Sequence, residues 1–153
     1  MKGIRKVLAA CDFSDYSEEV VTYAANLCQL LNAELIVANI INRRDLDAVN
    51  HVALYYTGLS VENYVAEQRR HREKMMDEFI AKLELPAEKI TKKIHIGEPC
   101  SELLNIVRTE SVELVAMGSK GRSNLADVLV GSIAEKMFRR SPVPVLSIRH
   151  SKD

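Results

Sequence analysis

The stretch from Ala33 to Ile41, AELIVANII, is apolar at nearly every position, and this limits the fold more than any other feature of the chain. A strand with one wet face alternates apolar and polar residues. A strand that is apolar throughout belongs in a parallel sheet covered by helices on both faces. Four more runs are strand-like: Ile4 to Cys11, Val112 to Met117 and Val143 to Ile148 are largely apolar, while Lys89 to Ile96 alternates, with Ile90, Ile94 and Ile96 on one face and lysines interleaved. Segments with helical spacing separate them. Val20, Tyr23, Ala24, Leu27, Leu30 and Leu31 recur on one helical face, as do Leu103, Leu104 and Val107. Val61 to Leu83 and Ile133 to Arg140 are helical in composition.

The resulting order, β-α-β-α-β-α-β-α-β, predicts an α/β fold: a single domain over residues 1–153 with an open, parallel, five-stranded sheet and right-handed crossovers. Its Rossmann-like strand order is 3-2-1-4-5. Ligands of such sheets bind at the carboxyl ends of the strands, where the winding reverses. That point lies between the first and fourth strands, so Asp12 and Gly118 are expected to be neighbours.

Local signals refine the elements. Asp15 with Glu18, or Ser14 instead, is expected to cap the first helix. From Asn42 to about Ser60 the periodicity dissolves, which predicts a long functional or mobile loop with Tyr55 and Tyr56 near its tip. Tyr55 and Tyr56 suit either a flap over a ligand or ordinary loop aromatics. Arg69, Arg70, Arg72, Glu73 and Lys74 are expected on a solvated helix face. Lysines at 89, 92 and 93 suggest a guarded edge strand.

Only six glycines occur in 153 residues, and Gly118, Gly121 and Gly131 fall in one short window after the fourth strand. Glycines there permit positive φ and close approach to a ligand, and the following helix turns its positive end towards an anion. The window therefore predicts phosphate binding. It is not a P-loop, because Gly-Lys-Ser/Thr never occurs. Ser119, Lys120 and Arg122 are possible phosphate contacts or solvated loop positions. Ser132 with Glu135 also fits a capping box, and Asp12 fits an ordinary helix-start aspartate as well as a ligand.

Lys and Arg number 21, as do Asp and Glu, for a formal net charge of zero, which gives no general attraction to nucleic acid or anionic membrane. Met1 to Lys6 leads straight into a strand-like run, so neither a signal peptide nor a spanning segment is expected. The three cysteines, Cys11, Cys28 and Cys100, suggest neither a disulfide framework nor a zinc cluster, and a reducing cytoplasm is the simplest compartment. Cys11 is expected to be a small buried strand residue. The four histidines make no metal spacing.

With these residues in place, the chain resembles the universal stress proteins of the nucleotide-binding type over nearly its whole length. Their phosphate motif, Gly-x2-Gly-x9-Gly-Ser/Thr, is matched by Gly118, Gly121, Gly131 and Ser132. Asp12-Phe13-Ser14, Gly97-Glu98-Pro99 and Pro142-Val143-Pro144-Val145-Leu146 match the family's opening strand end, third-helix turn and closing strand. The resemblance implies that Asp12 accepts from ribose hydroxyls, backbone around Ile40 reads adenine, and Met117 packs on base or sugar. It also implies that Gly118, Gly121, Gly131, Ser132 and Ile133 supply donors to the phosphates. Ala10 completes the expected nucleotide-binding set, and stands where the family often has proline.

The implied cofactor is ATP, with or without Mg²⁺, held in a homodimer paired through Val143 to Arg149. The implied role is a nucleotide-dependent stress-response module that reports to an unidentified protein partner. The alternative is a slow ATPase, or an enzyme phosphorylating its own Ser or Thr. A receiver domain shares the alternation of strands and helices but needs an aspartate ending the third strand and a lysine ending the fifth, which this chain lacks.

Overall fold

The structure, a computed structural model, describes residues 3–56, 58, 60–120 and 130–150. Among these residues, β1 (Lys6–Ala10), β2 (Glu34–Asn42), β3 (Ile90–Gly97), β4 (Leu114–Gly118) and β5 (Val145–Ile148) form a parallel sheet. The strand order is β3-β2-β1-β4-β5, the Rossmann-like order expected above. Five helices accompany it: α1 (Ser17–Leu31), α2 (Arg43–Ala53), α3 (Val61–Ile80), α4 (Pro99–Thr109) and α5 (Ser132–Arg140).

The two-residue period of each strand sorts the core into two halves. Val7, Ala9, Leu35, Val37, Leu114 and Ala116 pack with α1 and α3 residues on one face. Leu8, Ile36, Ala38, Val115 and Met117 pack with α4 and α5 residues on the other. Burying each of the larger side chains stabilises the fold by about 1.5–3 kcal/mol. This two-sided burial explains why Ala33 to Ile41 carries so few polar residues.

β3 lies at one edge of the sheet, and its lysines are held there. Lys92 Nζ is 2.6 Å from Asp77 Oδ1 and Lys93 Nζ 2.8 Å from Glu110 Oε1, while Lys89 donates to Asn32. Exposed pairs of this kind add little stability; their larger effect is to keep the edge charged and closed to further pairing. β5 forms the other edge.

Several local expectations are corrected. Of the stretch from Asn42 to about Ser60, Arg43–Ala53 is a helix rather than a loop, with the Asn42 side chain accepting from Arg44 N to start α2; the described residues from 54 to 60 are turn and loop. This helix buries none of its residues fully; Leu46, Val49 and Ala53 form a short half-buried stripe at helical spacing, which the surrounding charges obscure in the sequence. Neither Asp15 nor Ser14 caps α1, whose N-cap is Tyr16 without a side-chain bond. Arg72 is not solvated but buried, with 8% of its surface exposed. Ser132 does not cap α5, because the helix begins one residue earlier on Gly131 and Ser132 is its first helical residue. Among the described residues Gly58 is the only glycine with positive φ, so Gly118 and Gly131 serve space rather than backbone conformation. Among the described residues, no helix is long and apolar enough to cross a membrane.

Candidate functional site

A cavity of about 370 Å³ opens at the carboxyl ends of β1, β2 and β4. This is the winding-reversal point of the sheet, and the volume lies within the range of small-molecule sites. Ala10 and Asp12 line it from β1, Ile40 from β2, and Met117, Gly118 and Lys120 from β4 and its exit. Gly131, Ser132 and Ile133 line it from the start of α5. Asp12 and Gly118, 106 positions apart in the chain, thus border one space. Gly121 and Arg122 lie outside the described residues. Ser119 is buried and does not line the cavity.

Ser119 instead closes the motif on itself. Its N–H donates to Ile148 O at 3.1 Å, and its carbonyl accepts from Gly131 N at 2.7 Å. The second bond brings the two ends of the glycine motif together across the intervening residues. It also engages the Gly131 N–H, so the donors that α5 offers begin at Ser132. The first helical bond of α5 runs from Glu135 N to Gly131 O at 3.0 Å. Ser132, Ile133 and Ala134 precede it, carry the orphan N–H groups of the first turn, and all line the cavity.

The helix starts around the cavity are not equivalent. Asn42 covers the start of α2 with its side chain. Glu98 covers α4, accepting from Ser101 N at 2.8 Å and Ser101 Oγ at 2.7 Å. Desolvation pushes the Glu98 carboxyl up, but the Ser101 and Cys100 hydrogen bonds and the Lys136 charge outweigh it and hold the group below its ordinary range. Before α1 the Asp12 carboxylate lies beside the helix start without capping it: its Oδ1 accepts from Ser14 N at 2.9 Å and Ser17 Oγ at 2.8 Å. The start of α5, on Gly131, has no side-chain cap. An anion in the cavity is therefore best served at α5, where dipole and donors face it without a carboxylate in the way.

Two features of the wall escape sequence reasoning. Asn39 is 2% exposed and bridges strands, donating through Nδ2 to Cys11 O at 2.7 Å and accepting at Oδ1 from Arg72 at 2.7 Å. Asn42 and Asp45 reach the cavity from the unforeseen helix α2. Arg72 had a signal that composition obscured, since Met76 and Phe79 follow it at the spacing of one helical face. Tyr55 and Tyr56 are exposed and do not line the cavity.

Cys11, Cys28 and Cys100 are all buried. Burial pushes the Cys28 thiol up to about 11, with Lys89 pulling weakly the other way. Cys100 is also raised, chiefly by burial. Thiols so placed are inert small apolar groups rather than nucleophiles. Among the described residues no group of three metal-ligating side chains comes together.

Comparison with known proteins decides the family. The model of the universal stress protein family matches residues 3–149. The chain belongs to the universal stress protein family. Universal stress protein YxiE of Bacillus subtilis is 30% identical over 94% of this chain and 98% of its own. Universal stress protein MJ0577 of Methanocaldococcus jannaschii is 28% identical over 95% of this chain and 94% of its own. The solved structure of MJ0577 superposes with a TM-score of 0.78 at 24% identity, covering 99% of this chain and 100% of that one. A universal stress protein solved in complex with cAMP superposes with a TM-score of 0.67 at 22% identity, covering 98% of this chain and all of that one. The five-stranded order described above is thus the universal stress protein fold.

Proposed function

We propose that this protein binds ATP in the cavity at the ends of β1, β2 and β4, and acts as a nucleotide-dependent binding module in stress response. The observation that carries the reading is the pairing of opposite ends in one cavity. Asp12, a carboxylate suited to ribose hydroxyls, lines one side; the uncapped first turn of α5, suited to phosphates, lines the other. Ile40 and Met117 between them offer backbone and apolar surface for a base. The family relative solved with cAMP supports a nucleotide with an adenine base. Mg²⁺, where present, would be carried on the phosphates, as that ion commonly is.

The whole of residues 1–153 acts in this reading as one nucleotide-binding domain in the cytoplasm. Protein released by denaturation after purification should yield adenine nucleotide by chromatography, close to one per chain. Guanine nucleotide alone in that sample would contradict the assignment of the base.

The second reading, slow hydrolysis or transfer of phosphate to a Ser or Thr, is favoured by one observation. Ser132 stands at the first helical position of α5, lines the cavity and caps nothing. Binding alone accounts for the same residues without a water-positioning base or an arginine finger, so it is preferred.

The dimer is proposed to form through β5. Val115 N donates to Pro144 O and Ser119 N to Ile148 O, so on the alternating pattern of a strand the Ser147 N–H faces away from the sheet. A partner strand would take that bond. Ser147→Pro removes the outward donor while leaving the bonds to β4. Sedimentation should show the wild-type protein as a dimer and this variant as a folded monomer; a dimeric variant would place the interface elsewhere.

A further inference from the structure

Asp12 sits between two fixed points, and both are set by α3. On its N-terminal side, the Cys11 carbonyl accepts from Asn39 Nδ2, and Asn39 Oδ1 accepts from Arg72 of α3, each at 2.7 Å. Cys11 N in turn donates to Ala38 O at 2.8 Å, just past the last registered pair of β1 with β2, Ala10 with Ala38. On its C-terminal side, Phe13 adopts φ of 58°, the left-handed region that a bulky side chain seldom enters. Its ring lies 6.0 Å from that of Phe79, also of α3. Arg72, Met76 and Phe79 fall on one face of that helix, with Met76 fully buried between the other two. One helix face therefore holds the peptide before Asp12 by a polar relay and the residue after it by an aromatic contact.

We infer that α3 is a positioning element for the nucleoside half of the site, and that the Arg72–Asn39–Cys11 relay fixes Asp12 for ligand. The inference rests on the assignment of the cavity to a nucleotide. Arg72 and Asn39 are both buried and both border the cavity. A charge-assisted bond in such surroundings is stronger and more directional than one at the surface. The relay ends on the Cys11 carbonyl, whose peptide unit leads into Asp12, so its loss frees that unit to rotate. The carboxylate would then no longer be held where Ser14 N and Ser17 Oγ meet it. The phosphate half, at the start of α5, is held by the Gly131–Ser119 bond and does not depend on the relay.

The roles separate by ligand. Adenosine reports on the nucleoside half, inorganic tripolyphosphate on the phosphate half, and ATP on both. Arg72→Met keeps the length and apolar stem of the side chain but removes the donor to Asn39. Arg72→Lys restores one charged donor. Asn39→Asp keeps an acceptor for Arg72 and turns an oxygen towards the Cys11 carbonyl, breaking the relay at its other link. All are titrated at a temperature well below their unfolding midpoints, so that the folded fraction is the same.

Arg72→Met and Asn39→Asp should each weaken adenosine and ATP by about the same factor, on the order of tenfold. Tripolyphosphate should bind unchanged, and Arg72→Lys should recover part of the loss. Should only one of the two relay-breaking variants fold, that one decides. Wild-type affinity for adenosine in a folded relay variant, even with a lowered melting temperature, would reduce Arg72 to a stabilising role and overturn the inference while leaving nucleotide binding intact. Equal loss of tripolyphosphate would overturn it too, since the helix would then support the whole cavity. Wild-type protein that binds none of the three ligands would instead remove the nucleotide assignment itself.

Discussion

Gly131→Val should weaken ATP binding at least a hundredfold, on the order of 2.7 kcal/mol, while leaving the protein folded. Gly131 has φ of −68° and ψ of 156°, values any residue adopts, so valine introduces no backbone strain. Its N–H still reaches Ser119 O. Valine is a poorer N-cap than glycine, which costs about 1 kcal/mol of stability or less. What valine removes is space. Three carbons would project at the residue that precedes the orphan N–H groups of Ser132, Ile133 and Ala134, and an anion must come within hydrogen-bond distance of those groups. Adenosine, which has no phosphate, should bind the variant nearly as well as wild type. Equal affinity of the variant for ATP would show that the phosphates lie away from α5.

Asp12→Asn should have the opposite selectivity. The substitution is isosteric, and its Oδ1 continues to accept from Ser14 N and Ser17 Oγ, so the turn before α1 is kept and the melting temperature should move little. It removes the charged acceptor proposed for the ribose. Hydrogen bonds to charged groups contribute about 1.5–3 kcal/mol, so ATP and adenosine should both bind roughly 10- to 150-fold more weakly. The 2′,3′-dideoxy analogue of ATP lacks the hydroxyls concerned and should bind the variant and wild type alike. A loss of the same size with that analogue would assign Asp12 to the base or to the loop rather than to the ribose.

These two variants act at sites that sequence and structure treat differently. The parallel α/β class followed from apolar runs and alternation, because burial on both faces leaves a strong imprint on strand composition. The meeting of β1 with β4 followed only on the order 3-2-1-4-5, which alternation alone does not fix. The glycine spacing marked the start of α5 for the same kind of reason: a requirement for space excludes most side chains. The functions of the individual glycines were less legible. Positive φ was expected and is not found at Gly118 or Gly131, and the N–H of Gly131 is engaged by Ser119 rather than turned to a ligand. Such a bond joins residues separated by the motif's own spacing, and no local pattern encodes it.

α2 and Arg72 were obscured for a different reason. α2 buries no residue fully, and its apolar period is only three half-buried positions long, Leu46, Val49 and Ala53, too short to stand out among charges. Arg72 stands in a charge-rich run, where a solvated face is the ordinary outcome; only its spacing to Met76 and Phe79 hinted otherwise. Its partner Asn39 is a lone amide in the stretch from Ala33 to Ile41, which is apolar at nearly every position. In the structure it is a buried polar group satisfied on both sides, which is what burial of an amide requires. The polar wall of the cavity was not legible in the sequence, because its two members are 33 residues apart and meet only in the fold.

The central claim is that the cavity between Asp12 and the start of α5 holds ATP. Calorimetric titration of nucleotide-free wild-type protein with ATP tests it most directly. The account predicts saturable binding of one ATP per chain, lost in Gly131→Val. Absence of saturable binding up to millimolar ATP in the folded wild-type protein would contradict it.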